Sequence, residues 1–141
     1  MIRVYADMVG DLFHYGHVRF LERARTLGDM LVVGIHSDET VAEYKRTPVM
    51  TMAERIQVVA ACQFVDEVIP DAPLQITREF VEEHELDLVV HGDDLDEEVL
   101  GMMYGIPRDM GILTLVPYAN GISSSAIMER VRRRSFTVVQ S

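Results

Sequence analysis

Met30-Leu31-Val32-Val33-Gly34-Ile35 is an apolar run with no polar interruption. A strand with one face in water alternates apolar and polar residues, so a run without alternation must be covered on both faces. Shorter runs of the same kind read as strands at Ile2–Ala6, Glu67–Ile69, Leu86–His91 and Ile112–Val116, with the long one extending over Met30–His36. Between them lie helix-period patterns at His17–Leu27, Asp38–Tyr44, Ala53–Cys62, Thr77–His84, Asp96–Tyr104 and Ser124–Arg133. Thr51-Met52-Ala53-Glu54 reads as a capping box, with Thr51 before the helix and Glu54 reaching back to it. Strand and helix alternating in this way specify an α/β fold: Rossmann-like, doubly wound, a parallel five-stranded sheet with helices on both faces. There is no repeat, low-complexity tract or linker, so residues 1–141 read as a single domain.

Composition narrows the partners. The net charge of −10 disfavours attraction to nucleic acid or an anionic membrane. No apolar stretch approaches the ~20 residues that cross a bilayer. Met1-Ile2-Arg3-Val4-Tyr5-Ala6-Asp7 lacks the charged and apolar regions of a signal peptide, and the single cysteine, Cys62, suits a reducing compartment. A cytoplasmic location is therefore expected. Arg130, Arg132, Arg133 and Arg134 form a basic run that either complements the end of the last helix in solvent or reaches a phosphate.

In a doubly wound sheet, ligands bind beyond the carboxyl ends of the strands. The polar residues following each strand are then the candidate site. They are Asp11-Leu12-Phe13-His14-Tyr15-Gly16-His17, His36-Ser37-Asp38-Glu39-Thr40 leading to Lys45-Arg46, His91-Gly92-Asp93-Asp94, and Tyr118-Ala119-Asn120-Gly121-Ile122-Ser123-Ser124-Ser125. His14-Tyr15-Gly16-His17 opens a helix, where aligned peptide dipoles attract phosphate, and the serine run opens another. No strong nucleophile stands among these residues, and His14 and His17 lack the thiolate partners that zinc favours. Donors without a nucleophile suit a reaction between two bound substrates, such as phosphoryl or nucleotidyl transfer. Asp11, Asp38, Asp93 and Asp94 are candidates for holding Mg2+, directly or through water, or else for capping helices and forming turns.

Three segments, Asp11-Leu12-Phe13-His14-Tyr15-Gly16-His17, Gln63-Phe64-Val65-Asp66-Glu67-Val68 and Gly121-Ile122-Ser123-Ser124-Ser125, resemble the small cytidylyltransferases of the His-x-Gly-His nucleotidyltransferase superfamily. Arg46-Thr47-Pro48-Val49-Met50-Thr51 with Glu54-Arg55, and Val89-Val90-His91-Gly92-Asp93-Asp94, match in the same order. The resemblance implies transfer of CMP from CTP to the phosphate or phosphonate oxygen of a small metabolite, with release of pyrophosphate. It implies His14, His17 and Lys45 as the catalytic residues. Asp11, Gly16, Gly92, Asp94, Gly121, Ile122, Ser123, Ser124 and Ser125 are implied to bind the nucleotide. It further implies Mg2+ with the CTP, a mobile loop carrying Lys45, and a homodimer with Phe64-Val65-Asp66 near its interface.

Three departures from the family pattern bear on the acceptor. Met8-Val9-Gly10 stands where the family has Gly-x-Phe, Gln63 where it has arginine before Val65-Asp66, and Tyr118 where many relatives have arginine. Met8, Val9, Gln63, Asp66 and Tyr118 are therefore the expected acceptor-side or specificity positions. Arg55, Arg108 and the C-terminal arginines are the candidates for restoring the lost positive charge. Asp71-Ala72-Pro73 and Val90-His91-Gly92 look most like the ethanolamine-phosphate branch, and a phosphonate acceptor is the alternative within the class. A nucleotide-binding module without turnover, and an adenylyltransferase using ATP, are the rival readings.

Overall fold

Val4, Tyr5 and Ala6 are fully buried, as are Leu31, Val32, Val33 and Ile35, so the first two strands form the middle of the molecule. The computed structural model describes residues 1–117 and 121–134. Its elements run β1 (Arg3–Met8), α1 (Tyr15–Arg25), β2 (Met30–Ile35), α2 (Asp38–Tyr44), α3 (Met52–Ala60), β3 (Glu67–Ile69), α4 (Arg78–Glu83), β4 (Leu88–Gly92), α5 (Glu97–Asp109), β5 (Leu113–Val116) and α6 (Ser124–Arg133). The sheet is parallel throughout, in the order β3-β2-β1-β4-β5. No described helix is long and apolar enough to cross a membrane.

Successive strand residues point to opposite faces, and each face has its own core. Tyr5, Val32 and Val89 pack on one side with Phe80 and Val81 of α4 and Leu100, Met103 and Tyr104 of α5. Val4, Ala6, Leu31, Val33, Ile35 and Val90 pack on the other with Leu21 and Ala24 of α1 and Val59 of α3. The doubly wound expectation is met. Gly34 belongs to this packing: a Cβ there would lie 2.0 Å from the Tyr5 hydroxyl and 2.7 Å from Ala72 Cβ, so only glycine leaves the tyrosine room.

The expected boundaries shift at two places that matter. β1 runs to Met8 instead of ending at Ala6, because Asp7 and Met8 stay in register with Gly34 and Ile35. α5 continues through Pro107 to Asp109, although proline normally ends a helix. Proline has no N–H to offer the carbonyl of Met103, and that carbonyl instead accepts the Ile76 N–H at 3.0 Å. The cost of an interior proline is met by a neighbouring loop.

The chain builds β1, β2 and β3 outward in one direction, then returns to place β4 on the other flank of β1. The order reverses between β1 and β4. Crevices form at such a reversal, beyond the carboxyl ends of the two strands.

Candidate active site

A cleft of about 620 Å³ opens at that reversal, within the size range of small-molecule sites. Its floor comes from the ends of β1 and β4 and the residues after them (Asp7 to Asp11, and His91, Gly92, Asp94 and Leu95), and its walls from the starts of α1 and α6 and the end of α2. Met8, Val9, Asp11, His14, Gly16, His17, Lys45, Gly92, Asp94, Ile122, Ser123, Ser124 and Ser125 all line it. Most of the residues expected from sequence are thus brought together.

His14 is the N-cap of α1, so the helix begins at Tyr15 and His17 is its third residue, two residues earlier than the periodicity suggests. The Gly16 N–H donates to His14 Nδ1 and the His14 N–H donates to His17 Nδ1, each at 3.1 Å. Both Nδ1 atoms are acceptors, so in each ring the proton sits on Nε2. The caps therefore fix the tautomers, and both rings offer an N–H on a surface facing the cleft. Gly16 is required by this arrangement, since a Cβ there would stand 2.9 Å from His14 Cε1 and 3.0 Å from Ile122 Cγ2.

Burial lowers the pKa of His14. His17 is pushed down to about 4, by burial first, then by His14 and Lys45, with Asp11 opposing. His17 is therefore a neutral donor at pH 7. Its folded pKa lies below its ordinary value of 6.5, so the folded chain binds fewer protons than the unfolded one between those limits. The sign follows: this stability is fully present above about pH 6.5 and is lost as pH falls toward 4, at up to ~1.4 kcal/mol per pH unit. Urea denaturation of the wild type and His17→Gln at pH 7, 5.5 and 4.5 is expected to show the steeper acid loss in the wild type. Parallel losses would refute the assignment.

Asp11 organises the wall, each of its carboxylate oxygens holding one backbone N–H. Its Oδ2 accepts the Val49 N–H and its Oδ1 the Met50 N–H, both at 2.9 Å, while its carbonyl accepts Ser124 Oγ at 2.5 Å. Ser123 caps α6, its Oγ accepting the Ala126 N–H at 3.0 Å, and Ser125 Oγ accepts from Arg46 at 3.3 Å. Each serine hydroxyl thus has a structural partner. Lys45 is exposed at the rim, its Nζ 5.7 Å from the centre of the Tyr44 ring. Gly121, at φ +101°, lies off the cleft in an adjoining recess with Tyr15, Arg130 and Arg133.

Several expected positions fall elsewhere. Gln63 is exposed and does not line the cleft. Asp66 precedes β3, accepts the Leu31 N–H at 2.8 Å and pairs with Arg25 at 3.1 Å, which puts it at the amino ends of the strands, opposite the cleft. Tyr118 lies outside the described residues. Arg55 is fully buried, donating to Met50 O at 3.1 Å, Val9 O at 2.6 Å and Asp38 Oδ1 at 2.7 Å. Arg108 bonds Glu97, and Arg132 and Arg133 bond Glu129. Arg55 and Arg108 thus do not replace the missing arginines. Among the described residues no cluster of three or more His, Cys, Asp or Glu can hold a metal ion. Asp11 is engaged by two backbone N–H groups and Asp38 by Arg55, so the described residues hold no ready-made protein cage for Mg2+.

The deep end of the cleft holds a polar network that periodicity does not reveal. Asp7 is 3% exposed. Tyr104 donates its hydroxyl to Asp7 Oδ1 at 2.5 Å, and His36 Nε2 lies 3.1 Å from Asp7 Oδ2. His36 Nδ1 in turn lies 3.0 Å from the Tyr44 hydroxyl, and His91 Nδ1 lies 2.9 Å from the Tyr104 oxygen. Tyr104 has one proton and gives it to Asp7, so the His91 contact must be an N–H donated by Nδ1. Burial lowers the pKa of His91, which keeps the ring neutral and leaves Nε2 as a lone pair. One end of the cleft therefore presents N–H donors, and the other a carboxylate and a nitrogen lone pair.

A doubly wound sheet with a donor-lined crevice at its reversal point is an architecture on which α/β proteins bind phosphate-bearing ligands. Residues 10–130 match the cytidylyltransferase-like family, and the chain belongs to it. It is 39% identical over 135 residues to the ethanolamine-phosphate cytidylyltransferase of Dictyostelium discoideum, a match covering 91% of this chain and 37% of that protein. It is 40% identical over 136 residues to the choline-phosphate cytidylyltransferase A of Homo sapiens, covering 94% of this chain and 37% of that one. The chain thus spans little more than a third of the length of these relatives. Among solved structures, the lipopolysaccharide core biosynthesis protein of Thermoplasma volcanium superposes with a TM-score of 0.69 at 29% identity, over 86% of this chain and 99% of that chain. The pantothenate synthetase of Thermus thermophilus, at 16% identity and a TM-score of 0.59 over 90% of this chain and 61% of that chain, shares the fold.

Proposed function

We propose that this chain transfers CMP from CTP to the phosphate oxygen of a small ammonium-bearing metabolite such as phosphoethanolamine. The opposed polarity of the cleft carries the reading. Donors on His14 and His17 at one end suit phosphates, and lone pairs on Asp7 and His91 at the other suit N–H donors. A primary ammonium can fill those lone pairs. A quaternary ammonium has no N–H to give, and a neutral glycerol tail leaves the Asp7 charge uncompensated. The family assignment and the cytidylyltransferase relatives support CTP over ATP.

In the transfer, an oxygen of the acceptor phosphate attacks the α-phosphorus of CTP. The bond from that phosphorus to the α,β-bridging oxygen breaks, and pyrophosphate leaves with the electron pair. The attacking oxygen is already ionised, so no general base is needed, in keeping with a site lacking an activated nucleophile. The Nε2–H groups of His14 and His17 stabilise charge developing on the phosphoryl oxygens, and Lys45 neutralises the phosphate tail. Asp94, which lines the cleft, would hold the waters of a Mg2+ ion bound with the triphosphate, and the ion would offset the negative charge of the phosphates. Met8 and Val9 border the acceptor side.

Pyrophosphate release, with CTP and with ATP, is to be measured against phosphoethanolamine, phosphocholine, glycerol 3-phosphate and an aminoalkyl phosphonate. CTP with phosphoethanolamine is expected to be fastest, and preference for an acceptor without an ammonium N–H would overturn the reading. The phosphonate is the second candidate, because it presents the same ammonium to Asp7. Asp7→Asn is expected to raise the acceptor KM roughly 10- to 100-fold, the value of a hydrogen bond to a charged group, with little change in the KM for CTP. An effect confined to CTP would place Asp7 at the nucleotide end.

A cytoplasmic homodimer, with the Phe64-Val65-Asp66 segment near its interface, belongs to the same proposal. Val58 on α3, 39% exposed, supports an apolar contact there. Light scattering at micromolar concentration is expected to give twice the chain mass, and a monomer would sink the idea.

A further inference from the structure

Tyr44 is the last residue of α2 and is 38% exposed, yet its hydroxyl reaches inward to His36 Nδ1 at 3.0 Å. His36 is buried, with Nε2 3.1 Å from Asp7 Oδ2. In the neutral ring the Nε2–H donates to the carboxylate, so Nδ1 accepts the Tyr44 O–H. On the rim, the same tyrosine ring stands 5.7 Å from Lys45 Nζ, within cation–π range. One side chain therefore links the His36–Asp7 pair to the lysine on the rim.

The backbone makes Tyr44 the root of the lysine arm. The Lys45 N–H is held by Val41 O at 2.8 Å, and the backbone N–H groups of Val49 and Met50 are next held by the carboxylate of Asp11. Lys45 leaves the helix in extended geometry, at φ −135° and ψ −156°. Its position is set by where Tyr44 sits.

We propose that Tyr44 is a positioning residue that makes the placement of Lys45 depend on what occupies the Asp7 end of the cleft. The inference rests on the reading above, in which that end takes the acceptor's ammonium. An ionised Asp7 polarises the His36 ring and makes Nδ1 a stronger acceptor, because hydrogen bonds in a chain reinforce one another. The Asp7 charge is felt at the far end of the chain: the Tyr44 pKa is pushed up to about 12, by burial first and then by Asp7, with Arg55 opposing. When an ammonium neutralises Asp7, the chain weakens and Tyr44 loosens. Lys45 is then released from the ring toward the phosphates. The lysine is delivered only when an acceptor is present, which withholds it from CTP alone. Linkage requires the converse, so each substrate tightens the other by the same factor.

The test is the binding of α,β-methylene CTP, which cannot release pyrophosphate, to the full chain with and without saturating phosphoethanolamine. The wild type is expected to bind the analogue about fivefold more tightly when the acceptor is present, a typical coupling between sites. Tyr44→Phe keeps the ring and removes the hydroxyl, and its gain is expected to fall below about twofold, with unchanged circular dichroism. A merely structural role would lower both affinities and leave their ratio intact. The full gain in Tyr44→Phe, or no gain in the wild type, overturns the proposal. If the wild type releases no pyrophosphate from CTP with any acceptor, the parent reading falls and takes this one with it. An active wild type with an unaltered ratio in Tyr44→Phe overturns this inference alone.

Discussion

His17→Ala is expected to lower kcat by roughly a hundred- to thousandfold, the cost of removing one preorganised transition-state donor. The direction follows from the tautomer. His17 Nδ1 is occupied by the His14 N–H, so Nε2–H is the group left to face a transferring phosphoryl. Its pKa of about 4 makes it a neutral donor before the triphosphate arrives. The substitution also removes half of the reciprocal cap on α1 and a stacked contact with Phe13, at 5.2 Å and 7°. Loss of a cap costs about 1 kcal/mol, so the variant should remain folded and bind CTP. Single-turnover pyrophosphate release separates chemistry from binding. A near-native kcat would remove His17 from the mechanism.

Arg55→Ala is expected to destabilise the fold by about 3–5 kcal/mol, lowering Tm by roughly 10 °C or more. Its guanidinium is fully buried and ties three separate segments: Val9 after β1, Met50 before α3 and Asp38 at the start of α2. Truncation leaves two carbonyls without their donor in the interior and opens a cavity. Asp38, 38% exposed, can recover water and contributes less to the loss. Thermal and urea denaturation measure the effect, and a change below about 1 kcal/mol would show that water enters and replaces the side chain.

The parts of this site legible in the sequence are those made locally. His14, Gly16 and His17 sit within one turn, and the polar segments after the strands follow from topology. Asp7 was hidden because strand β1 outlasts its apolar run. Tyr104 was hidden differently: Leu100, Met103, Tyr104 and Pro107 form one buried stripe of α5, and a tyrosine on such a stripe reads as core. Its hydroxyl matters only because Asp7 is 97 residues away in sequence and 2.5 Å away in space. Asp66 shows the opposite error. It precedes its strand, and strand polarity alone places it at the far end of the sheet, whereas the resemblance puts it on the acceptor side. A helix pattern ending at Tyr104 falls short because local propensity counts the N–H that Pro107 lacks but not a partner such as Ile76 that relieves the stranded carbonyl.

None of the described residues of α6 is buried. What joins it to the rest at its start is polar: Ser124 to the Asp11 carbonyl and Arg46 to Ser125. Apolar burial supplies most of the free energy that makes a helix open only with the whole fold, and bonds at a solvent edge supply little. The wall proposed to face the phosphates is therefore an element of low local stability attached to the buried sheet. A triphosphate that engages it must also order it, so part of the binding free energy goes into organising the wall. On the proposed function, nucleotide affinity and the order of α6 are two readings of a single equilibrium, and a substitution far from any phosphate alters the first by altering the second.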